Sequence, residues 1–159
     1  VPVADRDRML WAAEKCVELQ VTRWQPVIYA RSRSVSPRGE GEKFAARVRL
    51  RMESALEQSG GTWLPEVQGE IDAADAWKEV RGPSQLLFDR GGAHVAKAIG
   101  PGAVAFAVGP EGGFEKEEVE NAQRHGWSTV SLGSTTLRFE TAIVAAAAVI
   151  RAMQLGTEG

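Results

Sequence analysis

Three short stretches of this chain carry residue types that could meet a ligand. The first, Gly109-Pro110-Glu111-Gly112-Gly113-Phe114, follows an apolar run and sets one carboxylate among three glycines. Glycines let a backbone approach a ligand closely and adopt positive φ. Glu111 would repel an anion, so a cationic or neutral guest suits the loop better. It has neither the lysine of a P-loop nor the Gly-x-Gly-x-x-Gly spacing of a dinucleotide cradle. The second stretch runs from Gly133 to Ala142 and places Arg138 and Glu140 directly before an alanine-rich segment. A fixed guanidinium matches negative charge developing on carbonyl oxygens, and a carboxylate beside it can accept a proton. The same two residues also fit a surface arginine next to a helix-capping acid. The third stretch, Asp89-Arg90-Gly91-Gly92, repeats the theme more weakly and reads first as an ordinary Asp/Gly turn.

Other chemistries find little material. Cys16 is the lone cysteine, which rules out an intramolecular disulfide, and the two histidines, His94 and His125, form no Cys/His cluster, so no metal site is expected. No stretch approaches the eighteen or so apolar residues of a membrane span, and the first residues lack a basic-then-apolar signal. A cytoplasmic, reducing location is the expectation.

The 159 residues, with 43% hydrophobic and 25% charged, correspond to one globular domain with a single core. The formal charge of −2 does not announce a nucleic-acid binder. Its distribution is uneven: between Val21 and Met52 seven arginines and one lysine face two glutamates. Arginine grips phosphate oxygens bidentately, so phosphate is one candidate partner there, and a solvated face paired with acids elsewhere is the other.

The elements that must position these loops follow from periodicity. Leu10, Ala13 and Val17 predict a helix over Arg6 to Leu19. A strand over Val21 to Ala30 and a loop over Ser32 to Gly41 come next. Phe44, Val48, Met52 and Leu56 predict a helix over Lys43 to Ser59, and a short helix is expected over Asp72 to Val80. Beyond Pro83 apolar runs and helical stretches alternate. Strands are expected at Leu86-Leu87-Phe88, Ala103 to Val108 and Ser128 to Leu132. Helices are expected at Ala93 to Ile99, Lys116 to His125 and Phe139 to about Met153. This alternation predicts an α/β fold, a mostly parallel sheet with helices on both faces. In such sheets ligands sit at the carboxyl ends of strands, where all three stretches fall.

Together these residues resemble the bacterial 16S ribosomal RNA uridine-N3 methyltransferase family of the SPOUT class. The resemblance rests on Gly-Pro-Glu-Gly-Gly-Phe, on Ser131-Leu132-Gly133, and on Leu137-Arg138-x-Glu140-Thr141-Ala142. Upstream, Glu14 to Arg23 is similar to that family's Lys-Ala-x-Glu-Leu-Gly-Val-x-Arg opening. Ala30 to Ser34 is similar to its Ser-Glu-Arg-Ser, and Glu57-Gln58-Ser59 with Leu64-Pro65-Glu66-Val67 to its Glu-Gln-Ser and Pro-x-Val elements. Departures are Gln20 where glycine is usual, Arg31 where glutamate is usual, and Gly61 where arginine is common.

The resemblance implies a SPOUT-type fold with a carboxyl-terminal trefoil knot, residues 1–159 forming one methyltransferase domain without the PUA-like or OB-like RNA-binding domain that usually precedes it. It implies S-adenosylmethionine as cofactor, bound by Phe88, Gly109, Glu111, Gly112, Gly113, Leu132, Gly133, Leu137, Arg138 and Thr141. In that reading backbone groups meet the adenine, Leu132 and Leu137 pack on its ring, and Glu111 lies near the sulfonium or the amino-acid end. Arg138 would stabilise charge on the uracil, and Glu140 or Glu111 would accept the N3 proton. The further implications are a homodimer using the helices at Arg6 to Leu19 and Phe139 to Met153, and contacts to 16S RNA of the small ribosomal subunit through Arg23, Arg31 and Arg33. Competing readings are a ribose 2′-O-methyltransferase on the same scaffold, a nicotinamide- or nucleotide-dependent enzyme, and a non-catalytic RNA-binding or assembly module.

Overall fold

A computed structural model describes residues 1–32 and 41–156. In chain order these form α1 (Arg6–Glu18), β1 (Arg23–Trp24), β2 (Val27–Ile28), α2 (Gly41–Ser59), β3 (Glu66–Val67), β4 (Ile71–Asp72) and α3 (Ala73–Glu79). They continue with β5 (Ser84–His94), a 3₁₀ turn (Val95–Lys97), β6 (Val104–Val108), α4 (Lys116–Arg124), β7 (Ser128–Ser131) and α5 (Phe139–Leu155).

Alternation along β5 sets the layering. Leu86 and Phe88 point into one core with Val108, Val130 and the buried sides of α1, α2 and α5. Leu87 points into the other, with Ala107, Tyr29, Trp77, Phe114 and Trp127. Successive strand side chains face opposite sides, so one sheet separates two hydrophobic cores. The sheet has the order β6-β5-β7 with every pair parallel. Two small parallel pairs, β1 with β3 and β2 with β4, lie outside it. The expected α/β class, parallel strands with helices on both faces, is therefore observed.

Local chemistry explains the helix ends nearest the carboxyl edge of the sheet. Asp5 caps α1, its side chain accepting from the Arg8 N–H at 3.0 Å. At the other end Val21 N–H reaches back to the Cys16 carbonyl at 2.9 Å and Gln20 sits at φ +61°. A left-handed residue costs a non-glycine side chain about 1 kcal/mol, which explains the glycine usual in similar sequences. α4 opens on a capping box between Glu115 and Glu118. Cys16 is buried and its thiol is pushed up to about 12 by that burial, so it stays protonated and inert.

Two expected elements differ from those observed. The strand read over Val21 to Ala30 is two strands of two residues. Gln25-Pro26 divides it, because proline has no N–H to give a ladder and the Gln25 side chain donates across to the Gly69 carbonyl. The helix read over Ala93 to Ile99 is instead the end of β5 followed by the short 3₁₀ turn. Ala93 and His94 pair with Val130 and Ser131 of β7 after a register shift, so the strand runs on past its first partners. Most of the loop read over Ser32 to Gly41 lies outside the described residues.

Candidate cofactor cleft

The carboxyl ends of β5, β6 and β7 open into one cleft with about 770 Å³ of free space, including the part open to solvent. Its first wall is Phe88, Asp89 and Arg90. The second is the continuous loop from Val108 to Phe114, and the third runs from Ser131 to Gly133 and from Thr135 to Leu137, with Phe139 and Ala142 at the start of α5. Three segments far apart in sequence, the bulged part of β5 and the loops after β6 and β7, thus converge because their strands are parallel neighbours.

The glycine loop is shaped by what it packs on. Gly113 takes φ +72°, and its N–H closes a turn onto the Pro110 carbonyl at 2.8 Å. A Cβ on Gly109 would stand 3.0 Å from the Phe114 ring. Any larger residue at the start of the bend, where the chain leaves β6, would require that ring to shift by a few tenths of an ångström.

Charged side chains tie the walls together. Arg90 donates to the Thr136 hydroxyl at 2.8 Å, joining the first wall to the third. Arg8, from the first turn of α1, donates to Glu111, and its Nε lies 3.8 Å from Oε1 of Glu140. One guanidinium thereby links the glycine loop to the first turn of α5. Glu140 is largely buried, with 13% of its side chain exposed, and its Oε2 is buried without a hydrogen-bond partner. An anion there is favoured by the positive end of α5.

The expected cofactor and catalytic residues divide into two sets. Phe88, Gly109, Glu111, Gly112, Gly113, Leu132, Gly133 and Leu137 all line the cleft. Arg138, Glu140 and Thr141 do not: they follow Leu137 at the start of α5, with Arg138 exposed at the N-cap position and making no side-chain cap bond. Of the arginines assigned to RNA, Arg23 is exposed and pairs with Glu66 across β1 and β3 at 3.3 Å. Arg31 is turned onto the glycine loop, its Nε 2.6 Å from Glu115. Arg33 lies outside the described residues.

Sequence reasoning did not find Arg8. It sits in an amphipathic helix with nothing local to mark it, 103 positions from its partner Glu111. Arg90 was noticed only as part of a weak turn. Among the described residues no group of three or more His, Cys, Asp or Glu could hold a metal ion. No helix among them is long and apolar enough to cross a membrane.

Comparison with known proteins places this geometry in company. Residues 1–151 match the family model described as RNA methyltransferase domain. A protein of Synechocystis sp. named Ribosomal RNA small subunit methyltransferase E is 32% identical over 146 residues, covering 87% of this chain and 47% of that protein. The crystal structure of a Ribosomal RNA small subunit methyltransferase E from Neisseria gonorrhoeae bound to S-adenosyl methionine superposes with TM-score 0.88 at 34% identity, over 96% of this chain and 63% of that one. A methyltransferase of Legionella pneumophila in complex with bound SAM superposes with TM-score 0.90 at 25% identity, over 96% and 64%. The chain spans about half the length of the Synechocystis relative and under two thirds of the two solved chains.

Proposed function

We infer, because this chain belongs to the RNA methyltransferase domain family, that it binds S-adenosylmethionine and methylates N3 of a uridine in 16S RNA of the small ribosomal subunit. One observation carries the reading: the three-walled cleft at the carboxyl edge of the sheet, in a fold that superposes at TM-score 0.88 on a relative solved with that cofactor.

The residues present fit such a guest. The walls bring glycine backbone to the cleft at Gly109, Gly112 and Gly133 and apolar surface at Phe88, Leu132 and Leu137. A nucleoside without phosphates needs those features and no cationic cradle, and Arg90, the one cation lining the cleft among the described residues, is bonded to the Thr136 hydroxyl. The bend at Gly109 is one that a Cβ would fill. Glu111 supplies an anion at the cleft wall that would suit a sulfonium or an ammonium. The chemistry gained on binding is an electrophilic methyl group.

The chain's own work is then to orient the base and manage its proton. Arg138, exposed beside the cleft on the far side of Leu137, is suited to hold negative charge on the uracil carbonyl oxygens. A carboxylate must take the N3 proton, and the candidates are Glu140 and Glu111, both beside the Arg8 guanidinium. Arg23 is placed to exchange its exposed ion pair for a phosphate of the RNA, and Arg33 belongs to the same basic stretch of sequence.

Calorimetric titration of this chain with S-adenosylmethionine should show saturable one-to-one binding, and NAD under the same conditions should show none. Full-length protein should then leave 3-methyluridine in small-subunit RNA, read by mass mapping. Binding of the dinucleotide alone, or a methyl group on ribose oxygen, would replace this reading.

Two finer features belong to the same proposal. The first is the trefoil knot. Val130 is the register partner of both Phe88 and Ala93, so residues 89–92 bulge out of the β5–β7 ladder, an irregularity compatible with threading of the carboxyl-terminal segment. The second is a homodimer through α1 and α5. Trp11 on α1 is 44% exposed, and Val144, Ala145 and Ala148 on α5 are only half-buried, leaving apolar surface on two helices that pack together. Sedimentation should show a dimer at micromolar concentration and a shift toward monomer for Trp11→Glu. A wild-type monomer throughout that range would remove the dimer.

A further inference from the structure

A loop of three glycines cannot hold its own shape. Glycine loses more backbone freedom on ordering than any other residue, and it brings no side chain to pack. Something outside the loop from Gly109 to Glu115 must therefore fix it. The turn after β2 does so with three successive residues. Tyr29 is buried edge-on against Phe114, ring centroids 5.1 Å apart. Ala30 N–H donates to Glu118 Oε1 at 2.8 Å, while Oε2 of that carboxylate accepts from Glu115 N–H at 2.8 Å. Arg31 then spans the loop: Nε donates to Glu115 Oε1 at 2.6 Å, and Nη1 donates to the Gly112 carbonyl at 2.6 Å.

The fit is steric as well as polar. A Cβ on Gly112 would stand 3.1 Å from Cδ and 3.2 Å from Cβ of Arg31, so the arginine stem lies flat against the loop backbone. The hydrogen bond to Glu115 and that carboxylate's charge raise the Arg31 pKa further above its ordinary value. A planar fork can serve a carbonyl and a carboxylate at once from one rigid group, whereas a lysine ammonium lacks that fixed geometry.

We propose that Arg31 is a positioning residue for cofactor binding: it clamps the Gly112 carbonyl and Glu115 from outside the cleft and so sets the backbone that the cofactor meets. The role rests on the function proposed above and differs from contact with RNA phosphate, for which its donors would first have to leave the loop.

Arg31→Met, Arg31→Lys and Glu115→Gln test it by two readouts. In calorimetry with S-adenosylmethionine, Arg31→Met should weaken binding about three- to tenfold, the range expected for losing a partly exposed charged contact and a charge-assisted hydrogen bond. Arg31→Lys should recover little of the loss, and Glu115→Gln should show part of it. Amide hydrogen exchange at Gly112 and Gly113 should quicken in Arg31→Met without any cofactor present, with the rest of the sheet unchanged. Wild-type affinity and wild-type exchange in Arg31→Met would overturn the clamp, as would full rescue by lysine. Wild-type cofactor affinity with weakened RNA binding would return Arg31 to the RNA surface. Failure of the unaltered chain to bind S-adenosylmethionine would strike the proposed function instead, and the exchange measurement would still decide whether Arg31 orders the loop.

Discussion

Gly92→Ala is expected to lower the melting temperature by about 10 °C or more, while Gly91→Ala, one residue earlier, should leave it within about 2 °C. The contrast comes from space alone, since neither residue has positive φ. A Cβ at position 92 would lie 2.4 Å from the Val130 N and 2.5 Å from its Cα and carbonyl carbon. Those are backbone atoms of a fully buried strand residue, so no side-chain rotation relieves the overlap. At position 91 the nearest neighbour is Asp89 Oδ2 at 3.6 Å, an ordinary contact with a movable group. To admit the extra methyl, β5 must separate from β7 where Phe88 and Ala93 both register with Val130. We expect a cost of about 3 kcal/mol or more, typical of overpacking against an immovable partner. Paired thermal unfolding by circular dichroism checks it. A melt within about 2 °C of wild type for Gly92→Ala would mean that the two strands part easily at Val130.

The same register shift shows where sequence reading stops. Leu86-Leu87-Phe88 is apolar on both faces, as a strand between two cores must be, and the spacing of Phe44, Val48 and Met52 is that of one buried helix stripe. Both are local consequences of burial and could be read without a structure. The four two-residue strands could not, because two residues show no period. Ala93 to Ile99 has helical spacing, yet pairing of Ala93 and His94 with β7 overrides it. For the site, the glycine loop and Leu132-Gly133 were legible as types of residue at the ends of strands. What holds them was not: Arg8 and Arg31 meet their partners Glu111 and Glu115 across 103 and 84 positions of sequence. Within the basic run Arg31 looks the same as Arg23, although one grips the loop and the other pairs with Glu66 on the surface.

Arg138→Ala should leave cofactor affinity within about threefold of wild type while lowering methyl transfer by full-length protein about 10²- to 10³-fold, the loss typical of removing one positioned charge-stabilising group. The backbone at this position is structural: its carbonyl accepts the Ala142 N–H at 2.9 Å and begins α5. The side chain is not. It is exposed, makes no cap bond, and forms no hydrogen bond or ion pair among the described residues. Moreover, a cation at the positive end of a helix is disfavoured by the helix dipole, so alanine should cost no stability. A residue that helps neither its helix nor its neighbours, placed one step beyond the cleft wall at Leu137, is best accounted for by a charge that arrives with the substrate. Melting of Arg138→Ala beside wild type, calorimetry with S-adenosylmethionine and single-turnover methylation of small-subunit RNA separate the possibilities. Unchanged turnover would remove Arg138 from the chemistry. Equal losses in cofactor binding and turnover would move it into the cofactor site, as a neighbour of Leu137 and Thr141.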